Sequence, residues 1–256
     1  TAQMVRLALE ADASLFHVST AYVCGAAAGF VPEEVRSEAP PFQNAYERSK
    51  WDAEHHVWSA RAQGLRAAIL RPSIVIGAAP DGRTVQFQGF YLLGWALSRI
   101  CRRLARAGLT RPWLLEGITL PTDLTGPVNL VTVDYIGAAI THLALAKNST
   151  GAVYHLTHPQ PLSVAQVYGV LAEHYGFVVT PDAAGGAAPV SDRSTFTRSF
   201  QRVWDTLRPY FTTTPRFDTT HTRSALEPSG IAPPAVTPRL LHRMLDFADA
   251  QGFGRL

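Results

Sequence analysis

Charge is scarce in this chain, cysteine is scarcer, and no long apolar run occurs. Asp, Glu, Lys and Arg make up 17% of the 256 residues, which argues against long disordered tails. Net charge is +3 and the pI about 9.0, yet the basic residues are scattered. Only Arg99–Arg106 clusters, as "RICRRLAR", where charge alternates with apolar residues as on a helix. That run reads as a solvated helix face, and no nucleic-acid partner is expected. Two cysteines, Cys24 and Cys101, cannot build a disulfide framework and lack metal-ligand spacing. Cys24 stands in a hydrophobic stretch as a small core residue. The adjacent His55 and His56 would point about 100° apart on a helix, so they cannot share a metal, and no metal site is expected. No apolar run approaches the ~20 residues a membrane span needs, and no secretory pattern is present. The expectation is a cytoplasmic protein with no integral membrane segment.

What is present suits a packed core. Hydrophobic residues make up 46% and mean hydropathy is +0.02, enough for one large domain or one domain with an appendage. Residues 1–10 read as the end of a helix, "SLFHVST" as a short strand followed by a loop with Gly25, Gly29, Pro32, Pro40 and Pro41, and about Ala45 to Gln63 as a helix. "LRAAIL" reads as a buried strand stopped at Pro72, "SIVIGAAPDG" as a loop, and "FQGFYLLGWALSRICRRLARAG" as a long amphipathic helix. "GPVNLVTV" and "GAVYHLTH" are further strands, each followed by a helix. Strands alternating with helices imply βαβ units and an α/β, Rossmann-like, doubly wound parallel sheet.

One more absence shapes that expectation. No Gly-rich turn of the kind that binds a dinucleotide pyrophosphate occurs, and the chain opens in mid-helix. Only the C-terminal half of the sheet is therefore expected, short of its first half by on the order of 100 residues. The expected division is a sheet domain over 1–182 with substrate elements around 80–125. A linker, "AAGGAAPVSD", over 183–192 and a small C-terminal substrate or cap segment over 193–256 complete it.

The stretch "QNAYERSKWDAEHH" carries the chemistry. Asn44 and Glu47 form a capping pattern, which places Tyr46 in the first helical turn and Lys50 one turn later on the same face. Ala53, Val57 and Ala60 continue that face, so it is expected to point inward. A lysine one turn away and the helix dipole would both favour the phenolate of Tyr46, whose ordinary pKa is about 10. Tyr46 could then exchange a proton with a substrate oxygen. "LFHVST" ends in Ser19 and Thr20, hydroxyls at a strand's C-terminal end, where parallel sheets hold ligands.

In order and spacing, "HVSTAYVCG", "NAYERSKWDAE", "LRAAILRPSIVIG" and "VNLVTVDYIGAAI" resemble the extended short-chain dehydrogenase/reductases. They are most similar to the branch holding fatty acyl-CoA reductases and thioester reductase domains. The resemblance covers residue 1 to about residue 180. It implies Thr20 as the hydroxyl orienting the substrate oxygen, Tyr46 as general acid, and Lys50 holding the nicotinamide ribose while lowering the tyrosine pKa. Pro72, Ser73, Ile74 and Val75 match the loop that contacts the nicotinamide. The implied cofactor is NADP or NAD, with NADPH favoured, and the implied substrate an acyl thioester, free or on a carrier protein. The missing Gly-rich turn departs from the family, and this chain alone is not expected to hold the cofactor.

On the substrate side, Phe87 and Phe90 open a helix dense in large residues. It is either packed on the domain body or lines an acyl channel, with Arg102 and Arg103 near a phosphate. Ser19 and Tyr22 either face substrate or pack. Asp134 is expected to N-cap its helix. A nucleotide-sugar epimerase or dehydratase, or a non-catalytic binding module, stands as the alternative.

Overall fold

The computed structural model describes residues 1–108, 113–114, 124–178 and 213–255. The expected linker over 183–192 and parts of the 80–125 and 193–256 segments lie outside the described residues. The chain divides into two compact units. The first comprises residues 1–75, 129–161 and 213–235, and the second 76–128, 162–212 and 236–256.

The first unit is a layered α/β structure. Helix α1 (Ala2–Glu10) leads to strand β1 (Leu15–Val18), a 3₁₀ turn (Ala21–Cys24) and a short strand β2 (Gly29–Val31). Helix α2 (Ala45–Ser59) follows, then strand β3 (Ala67–Pro72) and the start of β4 (Ile74–Ile76). Later come β7 (Leu130–Thr132), α4 (Val133–Leu145), β8 (Val153–Leu156), β11 (Pro215–Phe217) and α6 (Thr220–Leu226). Strands β1, β3 and β8 form one parallel sheet in that order, with Leu15 opposite Ala67 and Ile69 opposite Val153. Alternation along β3 divides the core between the two faces. Ala68 and Leu70 join Val131, Tyr135, Ala139 and Leu143 on the α4 side. Ala67 joins Val5, Ala8, Val57 and Ala60 on the α1/α2 side. A parallel sheet covered by helices on both faces is the doubly wound arrangement the sequence implies.

Three expectations are corrected here. "SIVIGAAPDG", expected as a loop, begins with β4, because the Ile74 amide donates to the Asn129 carbonyl at 3.2 Å. Ile74 therefore enters a backbone ladder one residue after Ser73, whose own amide donates to Leu156 at 3.3 Å. Asp134 is not the cap of α4: Thr132 takes that position, with extended backbone. Asp134 lies in the first turn, where its charge complements the helix dipole. The segment after β1, expected as plain loop, contains the 3₁₀ turn and β2, which pairs in parallel with β11.

The second unit holds α3 (Phe90–Arg106), β5 (Trp113–Leu114), β6 (Pro127–Val128), β9 (Leu162–Ser163), α5 (Val164–Tyr175), β10 (Phe177–Val178) and α7 (Pro238–Ala250). "GPVNLVTV", expected as one strand, is split between β6 and β7. Helix α5 starts at a full capping box: Ser163 Oγ accepts from the Gln166 amide at 3.2 Å, and Gln166 Oε1 accepts from the Ser163 amide at 2.8 Å. Within this unit the α3 residues Phe90, Tyr91, Leu93, Leu97 and Ile100 are buried, as are Leu241, Met244 and Leu245 of α7. Arg99, Arg102 and Arg103 stand on the exposed face of α3, as expected of a solvated helix side.

Candidate active site

The site begins at the C-terminal end of β1. Ser19 and Thr20 are both buried. The Ser19 amide donates to the Leu70 carbonyl at 2.7 Å, which carries the β1–β3 pairing one residue past Val18. Thr20 caps the 3₁₀ turn, its Oγ1 accepting from the Tyr22 amide at 3.3 Å. The turn closes at Gly25, which has φ +61°, and a Cβ there would lie 2.6 Å from the Pro41 carbonyl oxygen. Only glycine allows the chain to fold back against the segment that leads into α2.

Helix α2 then starts where its cap dictates. Asn44 Oδ1 accepts from the Glu47 amide at 2.9 Å, and Glu47 Oε2 accepts from the Gln43 amide at 2.8 Å. This register places Tyr46 and Lys50 one turn apart near the strand end. The Thr20 hydroxyl lies beside the Tyr46 phenol and acts to lower its pKa. Because Thr20 Oγ1 already accepts from the Tyr22 amide, its one proton is free for Tyr46 or for a bound oxygen. Lys50 Nζ donates to the Val18 carbonyl at 3.2 Å and lies 5.8 Å from the centroid of the Tyr46 ring. Thr20, Tyr46 and Lys50, chosen from the sequence, therefore meet at one place.

Two parts of the expected site are corrected. Val57 and Ala60 are buried as expected, but the first turns of the face are not inward: Tyr46 is 51% exposed, Lys50 and Ala53 are half-buried, and the buried stripe is Glu47, Trp51, Glu54 and Val57. The stripe is offset by one residue, about 100° around the helix. Second, Tyr46 is not driven toward phenolate. Burial of its hydroxyl raises its pKa above 10, and only the Thr20 hydroxyl opposes this. The Lys50 ammonium is held on the Val18 carbonyl and is no part of that balance. Tyr46 is thus a neutral phenol at pH 7, the form a proton donor requires.

The remaining candidates fall at the neighbouring strand end or in cores. Pro72 ends β3, and Ser73, Ile74 and Val75 follow. Ser73 Oγ is buried with no hydrogen-bond partner, as is Ser19 Oγ, while Val75 is 37% exposed. Tyr22 is buried edge-on against Phe217, ring centroids 5.7 Å apart, which is packing. Phe87 and Phe90 are buried in the second unit, Phe87 against Tyr91 and Phe253. Arg102 is engaged with Ser98 Oγ at 2.6 Å.

Two features escaped the sequence reading. His17 stands on β1 with Nε2 buried and unpartnered, and burial, with the Lys50 charge adding to it, lowers its pKa and keeps the ring neutral. The second feature is a buried ionic chain behind α2. Arg71 donates to Glu54 through two nitrogens, at 2.9 and 2.7 Å, and its third nitrogen lies 3.2 Å from His155 Nε2. The only sequence signals for it are a carboxylate one turn after Lys50 and an arginine inside an apolar strand.

Residues 1–140 match the family described as male sterility protein, an NAD-binding family. The match covers more than half of the chain. The chain belongs to the male sterility NAD-binding family. It is similar along 98% of its length to a non-canonical nonribosomal peptide synthetase, FrzA, from Cladobotryum sp, at 25% identity. The alignment covers 25% of that protein, so the chain spans about a quarter of its relative's length. Among solved structures, the terminal R domain from the myxalamid PKS-NRPS pathway superposes with a TM-score of 0.71 at 24% identity, covering 94% of this chain and 59% of that one. A thiolation-reductase di-domain from an archaeal non-ribosomal peptide synthetase gives 0.66 at 15% identity, covering 98% and 52%. These likenesses show the Rossmann-like fold of extended short-chain dehydrogenase/reductases. As a male sterility-type domain, the chain belongs to an NAD-binding family, and it leaves the Ser73 Oγ buried and unpartnered just past the end of β3. Its sequence holds no Gly-rich turn for the pyrophosphate.

Proposed function

We propose that the protein containing this chain is an NAD(P)H-dependent reductase of an acyl thioester, free or on a carrier protein, yielding an aldehyde or alcohol. The observation that carries this reading is the junction of Thr20, Tyr46 and Lys50 at the end of β1, with Tyr46 in its protonated form. The likeness to a thiolation-reductase di-domain supports the thioester as substrate. A pyrophosphate-binding turn is expected elsewhere in the whole protein, since the chain spans only part of its relatives.

When bound, the dinucleotide supplies a hydride to the thioester carbonyl carbon. Thr20 orients the carbonyl oxygen, and the Tyr46 phenol gives that oxygen a proton as charge develops on it. Loss of thiol from the resulting hemithioacetal releases the aldehyde, and a second reduction at the same groups gives the alcohol. Lys50, fixed on the Val18 carbonyl one turn beyond Tyr46, would hold the nicotinamide ribose. NADPH is the favoured reductant.

The full-length protein tests this directly. NADPH oxidation should depend on added acyl-CoA or acyl-pantetheine thioester, with aldehyde or alcohol appearing in step. Turnover of nucleotide sugars alone, with NAD retained through purification, would replace this reading with an epimerase or dehydratase.

A further inference from the structure

Helix α2 is held in an unusual way. Of its four buried residues, Glu47, Trp51, Glu54 and Val57, two are carboxylates. Glu47 closes the cap, and Glu54 is fully buried against Arg71, itself 2% exposed. Two parallel nitrogen–oxygen contacts of 2.9 and 2.7 Å make the pair bidentate, and a planar fork fixes orientation as well as distance. Glu54 lies one turn beyond Lys50 on α2. Arg71 immediately precedes Pro72 and the Ser73–Val75 segment. One ion pair therefore ties the helix bearing Tyr46 and Lys50 to the strand end bearing the nicotinamide-loop residues.

The chain of contacts does not stop there. Arg71 Nη1 lies 3.2 Å from His155 Nε2 on the adjacent strand β8. His155 Nδ1 lies 2.8 Å from the Asp218 carbonyl, which accepts only a donor, so the proton sits on Nδ1 and Nε2 accepts from Arg71. The His155 amide donates to Glu33 Oε1 at 2.8 Å, and Glu33 also accepts from the Thr222 amide at the start of α6. Residues 215–226, whose sequence suggests no chemistry, thus end a hydrogen-bonded line that begins on α2.

We propose that Glu54, Arg71 and His155 form a positioning relay, through which the 215–226 segment sets the rotation of α2 and with it the placement of Tyr46 and Lys50. The proposal rests on the reductase reading for its catalytic consequence, and on the buried geometry alone for its structural one. A merely stabilising pair could be replaced by apolar residues of similar volume with no loss, since such replacements often leave a fold as stable or more so. A positioning pair could not, because apolar packing does not fix azimuth as a bidentate fork does.

The test uses the full-length protein carrying Glu54→Leu with Arg71→Met. Thermal unfolding within a few degrees of wild type is expected. Amide exchange over residues 45–56 and 69–75 should accelerate about tenfold, and kcat for thioester reduction should fall about 10–100-fold at nearly unchanged KM. A double variant with wild-type stability, wild-type exchange and wild-type kcat would overturn the relay. Should that variant not fold, Arg71→Lys keeps the charge and loses the fork, and the same readouts apply. If wild type reduces no thioester, the reductase reading fails, while the exchange rates still decide the relay.

Discussion

Helices α2 and α3 are anchored by opposite means. Helix α3 buries a broad apolar stripe, with Phe90, Tyr91, Leu93, Leu97 and Ile100 all under cover. Helix α2 buries Trp51 and Val57 alongside two carboxylates, each satisfied by directed bonds. Apolar packing is non-directional, and a helix so held settles wherever its volume fits best. Capped and ion-paired carboxylates hold a helix in one rotation. The helix bearing Tyr46 and Lys50 is the one fixed by directed bonds, as the proposed reduction, which needs close placement of reacting groups, would require.

The contrast can be broken from either side. Glu54→Gln leaves the Arg71 guanidinium buried without its counter-charge and should lower unfolding free energy by about 3–5 kcal/mol, read from urea titration. On α3, Leu97→Ala removes packing only and should cost about 2–5 kcal/mol by the same measurement, depending on how far the site collapses. His155 extends the contrast to pH. Its folded pKa is lowered to about 3, chiefly by burial and then by Arg71. The unfolded chain therefore takes up a proton below about 6.5 that the folded chain refuses, so stability falls as pH drops from 6.5 toward 3. Between pH 6.5 and 5 the His155 share of that fall is about 2 kcal/mol, and a His155→Gln variant should lose it from its stability–pH curve. Asn44→Ala sharpens the comparison at the cap. It should cost about 1 kcal/mol and speed exchange at the first turn of α2.

Much of this was legible in the residues. The α2 start followed from Asn44 and Glu47, and the strand end from the hydroxyls Ser19 and Thr20. The parallel sheet followed from the alternation of apolar strands with helices. What failed was the helix face. Periodicity ranks Tyr46, Lys50, Ala53 and Val57 as the inward stripe because it treats every carboxylate as a surface group. Glu47 and Glu54 are buried because Gln43, Asn44 and Arg71 satisfy them, and those partners lie off the helix or across 17 residues of sequence. The same blindness hid His155 and Glu33, whose partners stand 63 and 189 residues away. The direction of the Tyr46 shift was missed for a related reason. A one-turn spacing suggests a charge effect, but the Lys50 ammonium is committed to the Val18 carbonyl, and burial decides.

The central claim is that Tyr46 delivers the proton in an NAD(P)H-dependent reduction, and Tyr46→Phe in the full-length protein tests it most directly. The phenyl ring keeps the packing and removes only the hydroxyl. NADPH affinity should stay within about threefold of wild type, while thioester-dependent NADPH oxidation falls by about 10²–10⁴-fold. A Tyr46→Phe enzyme that reduces the thioester at the wild-type rate would contradict the account.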